Sequence, residues 1–186
     1  MNLNETLKSN LIKIYKKNKK TFRTLSYSTA SKTYSSDSNE YAIDGDNLKI
    51  LCCNRTRGVK SIDAITFNKK NEFLFIEFKI QKHFHEDIVS DLSKKFMDTF
   101  SCFQHNIDTN REILFNEIKC FFVFDIRRET DRSIRNIKNI RYKLKDKVQR
   151  LNDENRISLS FKIIYSSTFD HSIDYFKMDD FFKELS

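Results

Sequence analysis

The stretch Lys60-Ser61-Ile62-Asp63-Ala64-Ile65-Thr66-Phe67, followed across Asn68-Lys69-Lys70-Asn71 by Glu72-Phe73-Leu74-Phe75-Ile76-Glu77-Phe78-Lys79-Ile80, decides how the chain is read. Both runs are rich in β-branched and aromatic residues and are separated by turn-forming polar ones, so they predict a strand, a turn and a second strand. Each carries ionisable groups where a half-buried strand seldom does. Glu77 and Lys79 stand two residues apart, a spacing that aims both at one side of a sheet. Opposed residues of an antiparallel pair have numbers that sum to a constant. Asp63 opposes Glu77 only when that sum is 140. An odd connection, Lys69–Asn71 or Asn68–Glu72, or a bulge gives that sum. A four-residue loop at Asn68–Asn71 instead sets Asp63 against Ile76, and the sequence leaves the choice open. Two acids brought together beside a lysine can hold a hard divalent cation.

Working outward, Leu3, Leu7, Leu11, Ile14 and Tyr15 recur at helical spacing and predict a helix over 3–20. Residues 21–40, rich in Ser and Thr, read as a long loop or weak hairpin. A strand is expected at about 41–53, broken by Asp44-Gly45-Asp46-Asn47, and further strands at 60–68 and 72–80. Ile88, Leu92, Phe96, Phe100 and Phe103 form the stripe of a helix over 86–105. Lys119-Cys120-Phe121-Phe122-Val123-Phe124-Asp125-Ile126 is continuous enough for a central strand covered on both faces. A basic helix with Ile134, Ile137, Ile140, Leu144, Val148 and Leu151 on its apolar stripe, a strand at 158–165 and a short acidic helix at 173–185 complete one domain over 1–186. The expected order is α-β-β-β-α-β-α-β-α, an α/β fold with a central mixed sheet flanked by helices.

That order, with an acid in the second strand and Glu-x-Lys in the third, resembles the PD-(D/E)xK nuclease superfamily, the restriction-endonuclease-like fold. In motif the likeness rests on Asp63, Glu77 and Lys79, and Ile62 stands where the proline of the name would be. The resemblance implies that Asp63 and Glu77, with the backbone carbonyl of Phe78, ligate Mg²⁺ or Mn²⁺, and that Lys79 orients the attacking water or stabilises charge on the phosphate. Glu5, Glu40, Asp44 or Asp46 are candidates for a further acid. Lys94 and Lys95 fall on the following helix, where the superfamily sometimes places a phosphate contact. Viral endonuclease domains with this fold typically add an upstream histidine. Here the first histidine is His83, after the motif, so DNA is expected rather than RNA. A role in genome defence, a mobile element or repair would fit, as would a homodimer cutting two strands. The alternative is an inactive module of the same fold that binds nucleic acid or a protein.

Charge supports a polyanionic partner. Net charge is +8, with +8 in residues 6–36, +7 in 127–151 and −7 in the remainder. Lys16, Lys17, Lys19, Lys20, Arg128, Arg132 and Arg135 are therefore candidate nucleic-acid contacts. No apolar run reaches the roughly 18–20 residues of a membrane span, and the N-terminus lacks a secretory pattern, so a soluble, cytoplasmic protein is expected. Cys52, Cys53, Cys102 and Cys120 lack metal-ligand spacing and read as reduced thiols. With two glycines, Gly45 and Gly58, the chain has no phosphate-binding glycine loop. His83 and His85 flank Phe84 just past the motif, near the start of the helix.

Overall fold

The computed structural model describes residues 5–52, 58–70, 72–80, 87–107, 118–125, 131–155 and 160–178. Helix α1 (Glu5–Asn18) buries Leu11, Ile14 and Tyr15, and the Asn18 side-chain amide donates to the Ile14 carbonyl at its last turn. There the chain leaves the helix as β1 (Lys19–Thr21), so the helix expected to reach residue 20 stops two residues earlier. The Ser/Thr-rich segment is not a loop throughout. It contains α2 (Phe22–Leu25), capped by the Thr21 hydroxyl, and a hairpin of β2 (Tyr27–Ser28) and β3 (Thr33–Tyr34). Ser36 Oγ donates to Asp170 Oδ1 at 2.5 Å, and the Ser26 hydroxyl accepts the Ser36 amide at 3.0 Å. Short hydroxyl side chains bond readily to nearby main chain, which gives a polar sequence order without apolar periodicity.

Strand β4 (Tyr41–Asp44) is also shorter than expected, because Asp44-Gly45-Asp46-Asn47 starts a helix, α3 (Gly45–Cys52). Asp44 Oδ1 accepts the amides of Asp46 at 2.9 Å and Asn47 at 3.4 Å, satisfying donors that a helix start leaves open. Then come β5 (Ala64–Phe67), β6 (Phe73–Lys79), α4 (Ile88–Ile107), β7 (Ile118–Phe124), α5 (Asp131–Asn155) and β8 (Ser160–Tyr165). In place of the single helix expected at 173–185 stand α6 (Ser166–His171) and α7 (Ile173–Phe176), and residues 179–186 lie outside the described set.

The sheet order is β1-β4-β5-β6-β7-β8. Pairing is antiparallel as far as β6 and parallel from β6 to β8, so the sheet is mixed. Alternation along the strands divides the core in two. Ile43, Ile65, Phe75 and Phe122 pack with the apolar stripes of α1, α4 and α5. Ala42, Ala64, Ile76, Phe78, Phe121 and Val123 face α2, α6 and α7 through Phe22, Phe169 and Phe176. Among the described residues no helix is long and apolar enough to cross a membrane.

The β5–β6 register pairs Ala64 with Ile76, Ile65 with Phe75, Thr66 with Leu74 and Phe67 with Phe73. Every pair sums to 140, the register that sets Asp63 across from Glu77. Asn68 selects it. Its side-chain oxygen accepts the amides of Lys70 and Glu72, and its side-chain nitrogen donates to Glu72 Oε2 and the Tyr175 carbonyl. A buried side chain with four such bonds moulds the odd connection 68–72 and ties it to α7. Replacing Asn68 with Ala should remove hydrogen bonds to part-buried loop amides, at a cost of about 1 kcal/mol. Urea denaturation of Asn68→Ala and wild type, compared at equal slope, measures that loss.

Candidate metal centre

Asp63 lies one step before β5, held by the main-chain amides of Gly45 and Phe78. The Gly45 amide donates to the Asp63 carbonyl at 3.2 Å, and a Cβ at Gly45 would lie only 1.9 Å from the Ile62 carbonyl oxygen. Glycine is therefore required at this crossing. The Ile62 amide donates to Thr99 Oγ1 at 2.9 Å and the Lys60 amide to Asp98 Oδ2 at 2.8 Å, strapping the approach to Asp63 onto α4. Lys60 is also ion-paired with Asp91, and the Ser61 hydroxyl donates to Asp46. So placed, Asp63 Oδ2 accepts the Phe78 amide at 2.7 Å.

Glu77 is fully buried on the same side of β6. Its Oε1 receives two ammonium groups, Lys79 Nζ at 2.5 Å and Lys95 Nζ at 2.6 Å. Its Oε2 is buried and has no hydrogen-bond partner among the described residues. Burial pushes the Asp63 carboxyl well above its ordinary range, and the Glu77 charge adds to the rise; Lys95, the Phe78 amide and Lys79 only partly counter it. Burial disfavours the charge on Lys95, but Glu77 and Asp63 outweigh it and its pKa is raised. Asp91 stands near enough to feel both Lys79 and Lys95. Although burial opposes its ionisation, Lys60 and these two lysines hold its pKa below the usual value.

The structure thus brings together Asp63, Glu77, Phe78, Lys79 and Lys95, all named from the sequence. Lys94 is exposed on α4 instead. None of the candidate further acids with a described side chain enters. Asp44 pairs with Ala64, which puts it on the opposite face of the sheet from Asp63, where Lys20 Nζ meets its Oδ2 at 2.5 Å. Asp46 is engaged with Ser61, and Glu40 precedes the far end of β4. The side chain of Glu5, and all of His83, His85 and Arg128, lie outside the described residues. The contacts from Asp91, Asp98 and Thr99 were not anticipated. Their signal was present, since Asp91, Lys95, Asp98 and Thr99 follow i, i+4, i+7, i+8 spacing on one helix face.

Among the described residues no group of three or more His, Cys, Asp or Glu converges on a common point. Among the described residues the donors on offer here are two carboxylates and main chain. That donor set suits Mg²⁺, which keeps several waters and takes one or two carboxylates together with substrate phosphate. The orphaned Glu77 Oε2 fits such a cation, because a buried carboxylate oxygen without a partner is costly. No protein-family model, curated protein or solved structure matches the chain.

A carboxyl whose pKa is raised on folding stabilises the fold fully below the ordinary carboxylate range, and that stability is lost as pH rises through the raised value. Asp63→Asn should therefore raise the melting temperature at pH 7–8 in EDTA, with the gain vanishing by about pH 4. Thermal unfolding across that range checks the sign.

Proposed function

We propose that this protein is a metal-dependent nuclease of the restriction-endonuclease-like class that hydrolyses phosphodiester bonds, DNA in preference to RNA. The observation that carries the proposal is the buried Glu77 carboxylate, with one oxygen clamped by two lysines and the other unpartnered, in the register that opposes Asp63. The topology supports it as well. An antiparallel meander β4-β5-β6, with the acid just before its second strand and Glu-x-Lys in its third, runs through α4 into a parallel β7.

Asp63 and Glu77 Oε2 would hold Mg²⁺ or Mn²⁺, together with the Phe78 carbonyl, whose amide already faces Asp63. When bound, the cation would polarise the scissile phosphate and lower the pKa of a bound water. Lys79 is mostly buried beside Glu77 and would orient that water. Lys95 adds a second positive charge where negative charge builds on the phosphate. The clamp on Oε1 leaves Oε2 available, so neither lysine has to leave for a cation to enter. Lys16 and Lys17 at the end of α1, Lys19 at the start of β1 and Arg135 on α5 are exposed and available to phosphates, whereas Lys20 is engaged with Asp44 and the side chain of Arg132 lies outside the described residues. Each phosphate contact on duplex DNA steepens the salt dependence by a log–log slope of about −0.9.

The same clamp favours a second reading, an inactive module in which two ammoniums permanently neutralise Glu77. Cleavage separates the two. Supercoiled plasmid should be cut with Mg²⁺ or Mn²⁺ and not in EDTA, and Asp63→Ala and Glu77→Ala should abolish cutting while DNA binding persists. Lys79→Ala should slow it by about 10²–10⁴-fold, the range for a group that positions or moves a proton. Equal cutting by all three variants would remove the assignment. Independently of turnover, Mg²⁺ should raise the melting temperature of the wild type and leave that of Asp63→Ala unchanged, since a ligand that binds only the folded state stabilises it.

A further inference from the structure

At the far edge of the sheet from β1, a cavity of about 470 Å³ opens between α5 and β8. Its volume lies within the range of built binding sites, about 300–1,000 Å³. One wall is the consecutive run Phe161–Ile164. Successive residues of a strand point to opposite faces, so a cavity touching four in a row must wrap the strand's free edge. That edge is open, because β8 ends the sheet and among the described residues pairs only with β7. The opposite wall is the flank of α5, where Leu144 and Val148 supply apolar surface.

Charge decides what fits. Among the described residues the lining contains three cations, Arg141, Lys145 and Lys162, and no acid. None of the three has an ion-pair partner among the described residues. A second copy added edge to edge would bring this set against itself, and like charges placed opposite one another are destabilising. A nucleic-acid backbone complements the charge but not the apolar floor.

We propose that this groove is a docking site for an extended acidic–apolar peptide segment of a partner protein, added as a strand along β8. Its main chain pairs with the open edge, its apolar side chains enter between Leu144, Val148 and Phe161, its alternate carboxylates fall on the face of Lys162, and Arg141 and Lys145 add positive charge from α5. Strand addition takes affinity from main-chain hydrogen bonds and selectivity from alternate side chains. The site lies at β8, two strands along the sheet from the strand that carries Glu77, and does not depend on the nuclease assignment.

The test uses the full chain and three fluorescein-labelled eight-residue peptides: alternating Glu and Val, alternating Lys and Val, and the Glu/Val peptide with proline at two inward positions. The Glu/Val peptide should raise anisotropy and slow amide hydrogen exchange in residues 160–165, and the other two should not. Charge reversal in R141E/K145E/K162E, with circular dichroism confirming the fold, should weaken binding at least about tenfold, as expected when desolvated charge pairs are broken. Failure of the Glu/Val peptide to bind, equal binding of the Lys/Val peptide, or unchanged exchange in β8 would overturn the proposal. So would displacement of the peptide by a duplex oligonucleotide, or a dimer in light scattering that K162E dissolves.

Discussion

A carboxylate with no access to water constrains everything at this end of the sheet. Removing such a charge from solvent costs several kcal/mol unless other charges and donors surround it. Around Glu77 the compensation comes from two directions, Lys79 on the same strand and Lys95 on α4. The helix must therefore sit at a fixed height over β6. Asp98 and Thr99, about one turn further along α4 than Lys95, fix that height by grasping the main chain of Lys60 and Ile62. Sheet, helix and the segment before β5 are mutually positioned around one buried charge.

Much of this was legible in the sequence, and the limits have physical causes. The strongly periodic helices and the apolar strands β6 and β7 stood out because burial imposes a pattern. The register of β5 against β6 reduced to a parity choice that residues 60–80 state but do not resolve. The Asn68 side chain, bonding across its own loop and to α7, makes the choice. Asp44-Gly45-Asp46-Asn47 was read as a turn because glycine and short polar residues serve turns and helix starts alike. What distinguishes them is whether the Asp44 carboxylate finds the next amides, a matter of geometry. The Ser/Thr segment hid its order for a similar reason, since hydroxyl networks such as Ser26–Ser36–Asp170 join residues far apart in the chain and leave no period.

Asp63, Glu77 and Lys79, which the structure brings together, stood out in the sequence by type, spacing and resemblance, while the residues that support them did not. Asp91, Asp98 and Thr99 are ordinary polar residues of a helix until the fold sets them beside residues 60–62. Asp44 and Asp46 had the right chemistry and proximity in sequence, yet β-strand alternation and helix capping use them elsewhere. A carboxylate's neighbourhood in the chain is a poor guide to the face it ends on.

Phe78 belongs to both sides of the sheet. Its amide meets Asp63 on one side, while its ring packs edge-on against Phe22 and Phe169 on the other, at centroid separations of 6.4 and 5.3 Å. The backbone that aims the ionisable groups is thus braced by aromatic rings that touch none of them. Random mutagenesis scored by phenotype would accordingly return Phe22 and Phe169 among its hits, and a map of those hits would outline a patch on the reverse of the molecule with no chemistry of its own.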